Sequence, residues 1–311
     1  MNAEFSKQNW WENTFPKGKQ MLTIADANER SVQIAYGEKG TGKPIVLVHG
    51  IASWSYSWRH EIAPLSEHFR VFCIDAKGCG FSDKPTHANK IGYQIIELQR
   101  IIEGLCSEPA IIVAQSLGAL ISLALVQQKP ELCDRLVLIN MPIFLDTLPT
   151  WWMHLLAYFP LDFVGLVDRS RLSQKMAPFL RGLTGYFRRE VVANPALINP
   201  EDVYWITYPY IEMEGAIARY AEDLQLAIKV IQGISSDSNN LIRRVRDRLP
   251  DTHTSCLILW GDRDRWFPYS HGEKLHQCLP NSQFKLLPNC GHDASGSCSD
   301  RVNQALLEFL L

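Results

Sequence analysis

A chain of 311 residues with 46% apolar and 21% charged side chains can bury a large core and is neither disordered nor fibrous in composition. Its formal net charge of −2 gives no electrostatic case for a nucleic-acid partner. The eight cysteines are scattered without a CxxC pair, and MNAEFSKQNWWENTF at the start lacks the basic-then-apolar order of a secretory signal, so a reduced, cytoplasmic setting is expected.

In chain order, an irregular aromatic arm precedes two predicted strands at 21–25 and 31–37. A Gly-rich turn, GEKGTGKP, leads into PIVLVHG at 44–50, a continuous apolar run of the kind buried on both faces of a parallel sheet. A helix near 57–66, a strand at 70–75, an amphipathic helix at 91–105 and an apolar run at 109–115 follow. A helix from 117 to about 128 and a strand at 134–140 complete the first half. Strand–helix alternation of this kind predicts a mostly parallel sheet with helices on both faces.

From 141 to 235 no buried strand is evident, and helical fragments are interrupted by Pro149, Pro160, Pro178, Pro195, Pro200 and Pro209. Alternation resumes with CLILW at 256–260, a helix at 268–278, a strand at 283–287 and a helix at 300–311. The expected organisation is a core of 1–140 and 236–311 carrying a helical cap of 141–235. Residues 148–167, LPTWWMHLLAYFPLDFVGLV, are apolar but interrupted by His154, Pro160 and Asp162, which argues against a transmembrane helix and leaves a pocket-lining or lipid-contacting helix. Arg243, Arg244, Arg246 and Arg248 alternate with apolar and acidic residues, as on a solvated helix face.

Ligands of open parallel sheets sit beyond the carboxyl ends of the strands. The reactive side chains at those ends are His49 in His49-Gly50-Ile51, Ser116 in AQSLGA, Asp262 and Asp264 after CLILW, and His292 after the strand at 283–287. A lone serine between strand and helix commonly does no more than cap the helix. A serine, an acid and a histidine in the order Ser…Asp…His, with the serine on the elbow, form a nucleophile constellation.

The stretches PIVLVHGIASWSYSWR, FRVFCIDAKGCGFSDKP, VAQSLGA, LILWGDRDRWFP and NCGHDASGSCSDRVNQALLEFL resemble the α/β-hydrolase superfamily, from about Val32 to Leu311. The similarity is greatest to its capped branch, which includes haloalkane dehalogenases, epoxide hydrolases, carbon–carbon bond hydrolases and small esterases. The resemblance implies an eight-stranded α/β-hydrolase fold with Ser116 as nucleophile, His292 as general base and acid, and Asp264 orienting the histidine. It further implies an oxyanion hole from the main-chain N–H groups of Ile51 and Leu117, and a structural His49. Gly-x-x-Asp followed by proline fits Gly261, Asp264 and Pro268, favouring Asp264 over Asp262. Ala114 stands where the family usually has glycine, and Gln115 where histidine or asparagine is common. The dehalogenase and epoxide-hydrolase members use an aspartate nucleophile, whereas this chain has Ser116. Tyr208 and Tyr210 resemble epoxide-hydrolase tyrosines only superficially.

Acyl transfer needs no metal or cofactor, and no zinc spacing or dinucleotide fingerprint is present. The expected activity is hydrolysis of a carboxylic ester of a medium-sized, mostly apolar small molecule, with Trp151, Trp152, Tyr208 and Gln115 as pocket candidates. Hydrolysis of a carbon–carbon bond in a vinylogous diketone acid is an alternative, against which stand Asp293 and Gln115; Arg181, Arg188 or Arg189 would then meet the acid. Acyl transfer to an alcohol or thiol, and ligand binding without turnover, are further alternatives. Oligomeric state is not legible.

Overall fold

A computed structural model describes residues 9–85, 90 and 92–311. Eight strands form one sheet: β1 (Gln20–Ala25), β2 (Ser31–Lys39), β3 (Pro44–Val48), β4 (Arg70–Ile74), β5 (Ala110–Gln115), β6 (Cys133–Ile139), β7 (Ser255–Gly261) and β8 (Ser282–Leu287). Their order is β1-β2-β4-β3-β5-β6-β7-β8, with β1–β2 and β2–β4 antiparallel and every other pair parallel. Each strand starts and ends within about two residues of the run that predicts it. β3 and β5 are buried throughout, as continuous apolar runs require, while edge strand β8 is largely half-exposed.

The chain leaves β3 for β4 on one side and returns for β5 on the other. This reversal opens a crevice at the carboxyl ends of β3 and β5, where ligands bind in open α/β sheets. His49 to Ile51 and Ser116 emerge there.

The principal helices are α1 (Trp10–Thr14), α2 (Tyr93–Leu105), α3 (Leu117–Gln128), α4 (Trp151–Tyr158), α5 (Leu161–Arg169), α6 (Ala177–Phe187), α7 (Pro200–Glu212), α8 (Ala216–Gln232), α9 (Leu241–Asp247), α10 (Ser270–Cys278) and α11 (Ser299–Leu310). The apolar helix α3 is buried almost end to end. Isoleucine, valine and leucine of both sheet faces form two cores, one beneath α2 and α3 and the other beneath α11. The predicted helix at 57–66 is instead a 3-10 turn, Ser55–Trp58, followed by a short helix, Ile62–Ser66. For the predicted helix at 91–105, Ile91 lies outside the described residues and the helix runs from Tyr93.

The aromatic arm is not irregular where it is described. Asn9 caps α1 through the Trp11 N–H, and Trp10, Trp11 and Phe15 are buried against Trp54, Tyr56 and Phe81. A helix of five residues has little stability of its own. What holds it is this aromatic cluster, whose members lie about forty to seventy residues away and are invisible to local pattern.

Between β6 and β7 all regular structure is helical. α8 carries α4 and α5, while α7 carries α6 and the short helix Leu172–Lys175. Leu148, Met153, Ala157, Leu224 and Ile228 form a third, separate apolar cluster, against which Ile51 and Trp266 pack. α7 is tied to the sheet side by Tyr56 Oη donating to Asp202 (3.0 Å), Arg59 beside the same carboxylate (2.8 Å) and Trp54 Nε1 donating to Trp205 O (3.0 Å). On α9, Arg243 and Arg244 are exposed, as is Arg248 just after it, whereas Arg246 turns inward to donate to Ile143 O (2.7 Å). None of the described helices is long and apolar enough to cross a membrane.

Candidate active site

Ser116 occupies the single residue between β5 and α3. Its φ of 55° and ψ of −127° lie in a region that L-residues rarely adopt, at a cost of about 1–3 kcal/mol. The turn is possible because its neighbours are small. A Cβ on Gly118 would stand 2.3 Å from His49 O, and one on Gly50 would stand 2.9 Å from the Cβ of Ser116. Ala114, where glycine is commoner, is completely buried without loss of the turn.

The order read from strand ends becomes a line of hydrogen bonds. Ser116 Oγ lies 3.0 Å from His292 Nε2, and His292 Nδ1 lies 2.8 Å from Asp264 Oδ2. The other oxygen of Asp264 accepts from the main-chain N–H groups of Trp266 (2.8 Å) and Phe267 (3.0 Å), so the carboxylate is held on both sides. The Trp266 and Phe267 rings flank the imidazole, with centroids at 4.7 and 5.1 Å. Asp262, the rival acid, turns away and accepts from Cys290 N (3.1 Å), bracing the loop that carries His292.

The N–H groups of Ile51 and Leu117 donate to no hydrogen bond among the described residues. Both residues line a cavity with Ser116, and Leu117 stands at the start of a helix, where the first N–H groups have no intrahelical partner. His49 sits beneath: its Nε2 accepts from Ala76 N (3.0 Å), which leaves Nδ1–H to donate to Gly50 O (2.8 Å). Burial pushes its pKa down, keeping the ring neutral in this bracing role despite nearby Asp75.

Gln115 does what the sequence left unexplained. Its Nε2 donates to His292 O (2.9 Å) and its Oε1 accepts from Ser295 Oγ, joining the end of β5 to the loop that carries His292. Asn140, directly after β6, completes the scaffold. Its Nδ2 donates to Gly291 O (3.1 Å) and His292 O (2.8 Å), and its Oδ1 accepts from Gly261 N (3.0 Å). The detectable signal was position alone, since Asn140 directly follows β6.

Two cavities meet at Ser116 and share Ile51 and Trp266. One, of about 120 Å³, is almost wholly apolar, with walls including Leu120, Leu145, Leu148, Met153 and Leu224. The other, of about 400 Å³, is lined by Trp152, Leu156, Leu183, Arg188, Tyr210 and His292 among others, and Gln115 also faces it. Trp151 and Tyr208 do not line either cavity. Trp151 is 69% exposed on the outer side of α4, while Tyr208 is half-buried and stacks on Phe81 at 5.8 Å. Helix phase decides both outcomes: Trp152 and Tyr210, one and two residues further on, face inward. Tyr220, on the wall of the larger cavity, has a buried hydroxyl with no partner among the described residues.

The two arginines that line the larger cavity with His292, Arg59 and Arg188, are already engaged. Arg188, just after α6, forms an ion pair with Asp293 at 2.5 Å, and Asp293 N donates to Val191 O (2.9 Å). Burial would push the Asp293 carboxyl up, but Arg188 and Arg59 outweigh it and hold the pKa below the ordinary value. Among the described residues no group of histidines, cysteines and carboxylates is arranged to hold a metal ion.

A family model for the alpha/beta hydrolase fold matches residues 43–296. The chain belongs to the α/β-hydrolase superfamily and is a hydrolase of that superfamily. It is 35% identical to epoxide hydrolase 1 of Caenorhabditis elegans over 294 residues, covering 90% of this chain and 68% of that protein. It is 26% identical to haloalkane dehalogenase 2 of Mycobacterium bovis, covering 89% and 91% of the two chains. A solved meta-cleavage product hydrolase from Pseudomonas fluorescens superposes with a TM-score of 0.68 at 21% identity, covering 93% of this chain and 96% of that one.

Proposed function

We propose that this chain is a cofactor-free serine hydrolase that cleaves a carboxylic ester of a medium-sized, mostly apolar substrate beneath a cap formed by residues 141–235. The observation that carries the reading is the continuous hydrogen-bonded line Ser116–His292–Asp264, opening onto two cavities. In this mechanism His292 Nε2 takes the Ser116 proton as Oγ attacks the ester carbonyl. Asp264 fixes the tautomer and supports the imidazolium, and the oxyanion is met by the N–H groups of Ile51 and Leu117. His292 then gives its proton to the departing alkoxide, leaving an acyl group on Ser116. Water, deprotonated by His292, releases the carboxylic acid and restores the serine.

The cavities suggest how an ester is seated. The smaller, apolar one suits a short hydrocarbon arm. The larger one, with Tyr210 and Tyr220 on its wall, suits the part bearing a polar oxygen, because burial pushes both phenols up and keeps them as donors.

Two relatives named above are an epoxide hydrolase and a haloalkane dehalogenase, but a serine oxygen favours acyl chemistry over formation of an alkyl–enzyme ester with a carboxylate. For cleavage of a carbon–carbon bond next to an acid, a free cation would be expected near the histidine. Arg188 is paired with Asp293 and Arg59 with Asp202, which weighs against that reading.

The test is labelling by a fluorophosphonate probe, read by intact mass, together with turnover of chromogenic esters of rising acyl length. Wild type should label and turn over short to medium esters, and Ser116→Ala should do neither. A folded wild type that resists both the fluorophosphonate and a smaller sulfonyl fluoride would sink the reading.

A further inference from the structure

Isolated exposed hydrophobic residues are ordinary on a protein surface; a continuous field of them is not. Among the described residues, 11 of the 17 large exposed hydrophobics fall between Trp151 and Tyr186. They follow helix phase. Trp151, Leu155 and Tyr158 recur at i, i+4 and i+7 on α4, and Phe179, Leu183 and Tyr186 repeat the spacing on α6. Between them Phe159 stacks on Phe163 at 6.4 Å, Leu166 follows one turn later, and Leu172 and Met176 are again four apart.

These helices form an outer layer. α4 and α5 pack on α8, and α6 and Leu172–Lys175 pack on α7, while the apolar residues named above stay exposed to solvent. The charges among them are mostly of one sign. Arg169, Lys175 and Arg189 are exposed and make no ion pair with any described residue, and Asp162 is the single exposed carboxylate from 151 to 189. Such a field contrasts with the formal net charge of −2 for the chain. Leu183 belongs both to this face and to the wall of the larger cavity at Ser116.

We propose that this face seats the cap on an anionic lipid surface. Apolar helix faces lying in the plane of the headgroups, tryptophan and tyrosine at the interface, and cations at its rim are the three elements of reversible membrane attachment. The whole-chain charge would not draw the molecule to such a surface; the cations between the anchors do. Leu183 then stands where the lipid phase meets the cavity, so an apolar substrate has a route to Ser116 that avoids bulk water.

The test is co-sedimentation of the full chain with vesicles of phosphatidylcholine containing phosphatidylglycerol, against phosphatidylcholine alone. Binding is expected to be stronger to the anionic vesicles and to weaken as salt is raised. Leu155→Glu with Phe179→Glu should lower partitioning about tenfold or more at an unchanged melting temperature. Arg169→Glu with Lys175→Glu, both on exposed positions, should lower it on anionic vesicles only and serves if the first pair melts early. Ser116→Ala should partition as wild type, which separates this inference from the proposed chemistry. Failure to sediment with either vesicle would overturn it, as would equal binding to both. So would self-association through this face, shown by Phe179→Glu converting an oligomer to monomer while neither vesicle binds.

Discussion

Ser116 holds a backbone conformation that costs free energy, and the residues around it are those that make the cost tolerable. The reactive residues were legible because each stands within about five residues of a strand end, where an open parallel sheet exposes its carboxyl ends. Gln115 and Asn140 were not, because an amide has no chemistry that marks it, and their partner His292 lies 177 and 152 residues away. Gln115→Leu is expected to lower kcat about 10- to 100-fold with a smaller change in KM, since the histidine loop shifts while the cavities remain. Steady-state ester kinetics with the pH profile of kcat check this. Unchanged kinetics would reduce Gln115 to packing. Glu61 supplies a pH prediction. It is fully buried, neither carboxylate oxygen has a hydrogen-bond partner among the described side chains, and burial pushes its pKa well above 4.5, with Arg59 opposing only in part. A carboxyl raised in the folded state contributes stability that is full below its unfolded value and lost as pH rises toward the folded one. Glu61→Gln should therefore melt above wild type at neutral pH, with the gap closing below pH 4.5. A pH-independent gap would contradict the assignment.

At the scale of elements, the central strands β3 and β5 were legible as continuous apolar runs because parallel strands there bury both faces. The 3-10 turn Ser55–Trp58 and helix α1 were not, because aromatic contacts from distant segments decide them. Trp11→Ala should cost about 3–5 kcal/mol in chemical denaturation, as expected for removal of a fully packed indole. A cost below about 1 kcal/mol would mean that α1 is peripheral to the core. The elbow between β5 and α3 makes a sharper demand. Gly118→Ala pushes a methyl into the His49 carbonyl, backbone against backbone, so a loss of about 1–3 kcal/mol and of ester turnover is expected together. Retention of both would show that the close approach is unnecessary.

For the whole molecule, the sheet and the Ser…Asp…His order could be read from sequence, but the outer surface of the cap could not. A helix with apolar residues on two faces gives the same local signal whether one face is buried or both are, so Trp151 and Trp152 could not be told apart. The helical segment 141–235, the proposed cap, meets the rest of the chain through Arg188 and Asp293 beside the histidine, and through Asp202 with Tyr56 and Arg59. Because Asp293 is held below its ordinary pKa, its contribution is present above about 3.8 and fades as pH falls through the depressed value. Arg188→Met should loosen this tie, raising proteolytic nicking near 188–193 while leaving the sheet protected; equal protection in both proteins would place the cap's hold elsewhere.

The measurement that bears most directly on the proposed chemistry is acid quenching during turnover of a chromogenic ester, followed by intact mass and peptide mapping. A Ser116 acyl-enzyme predicts an adduct of the acyl mass on the peptide containing Ser116, absent from Ser116→Ala, which does not turn over. Turnover retained by Ser116→Ala, or an ester formed on a carboxylate instead, would contradict it.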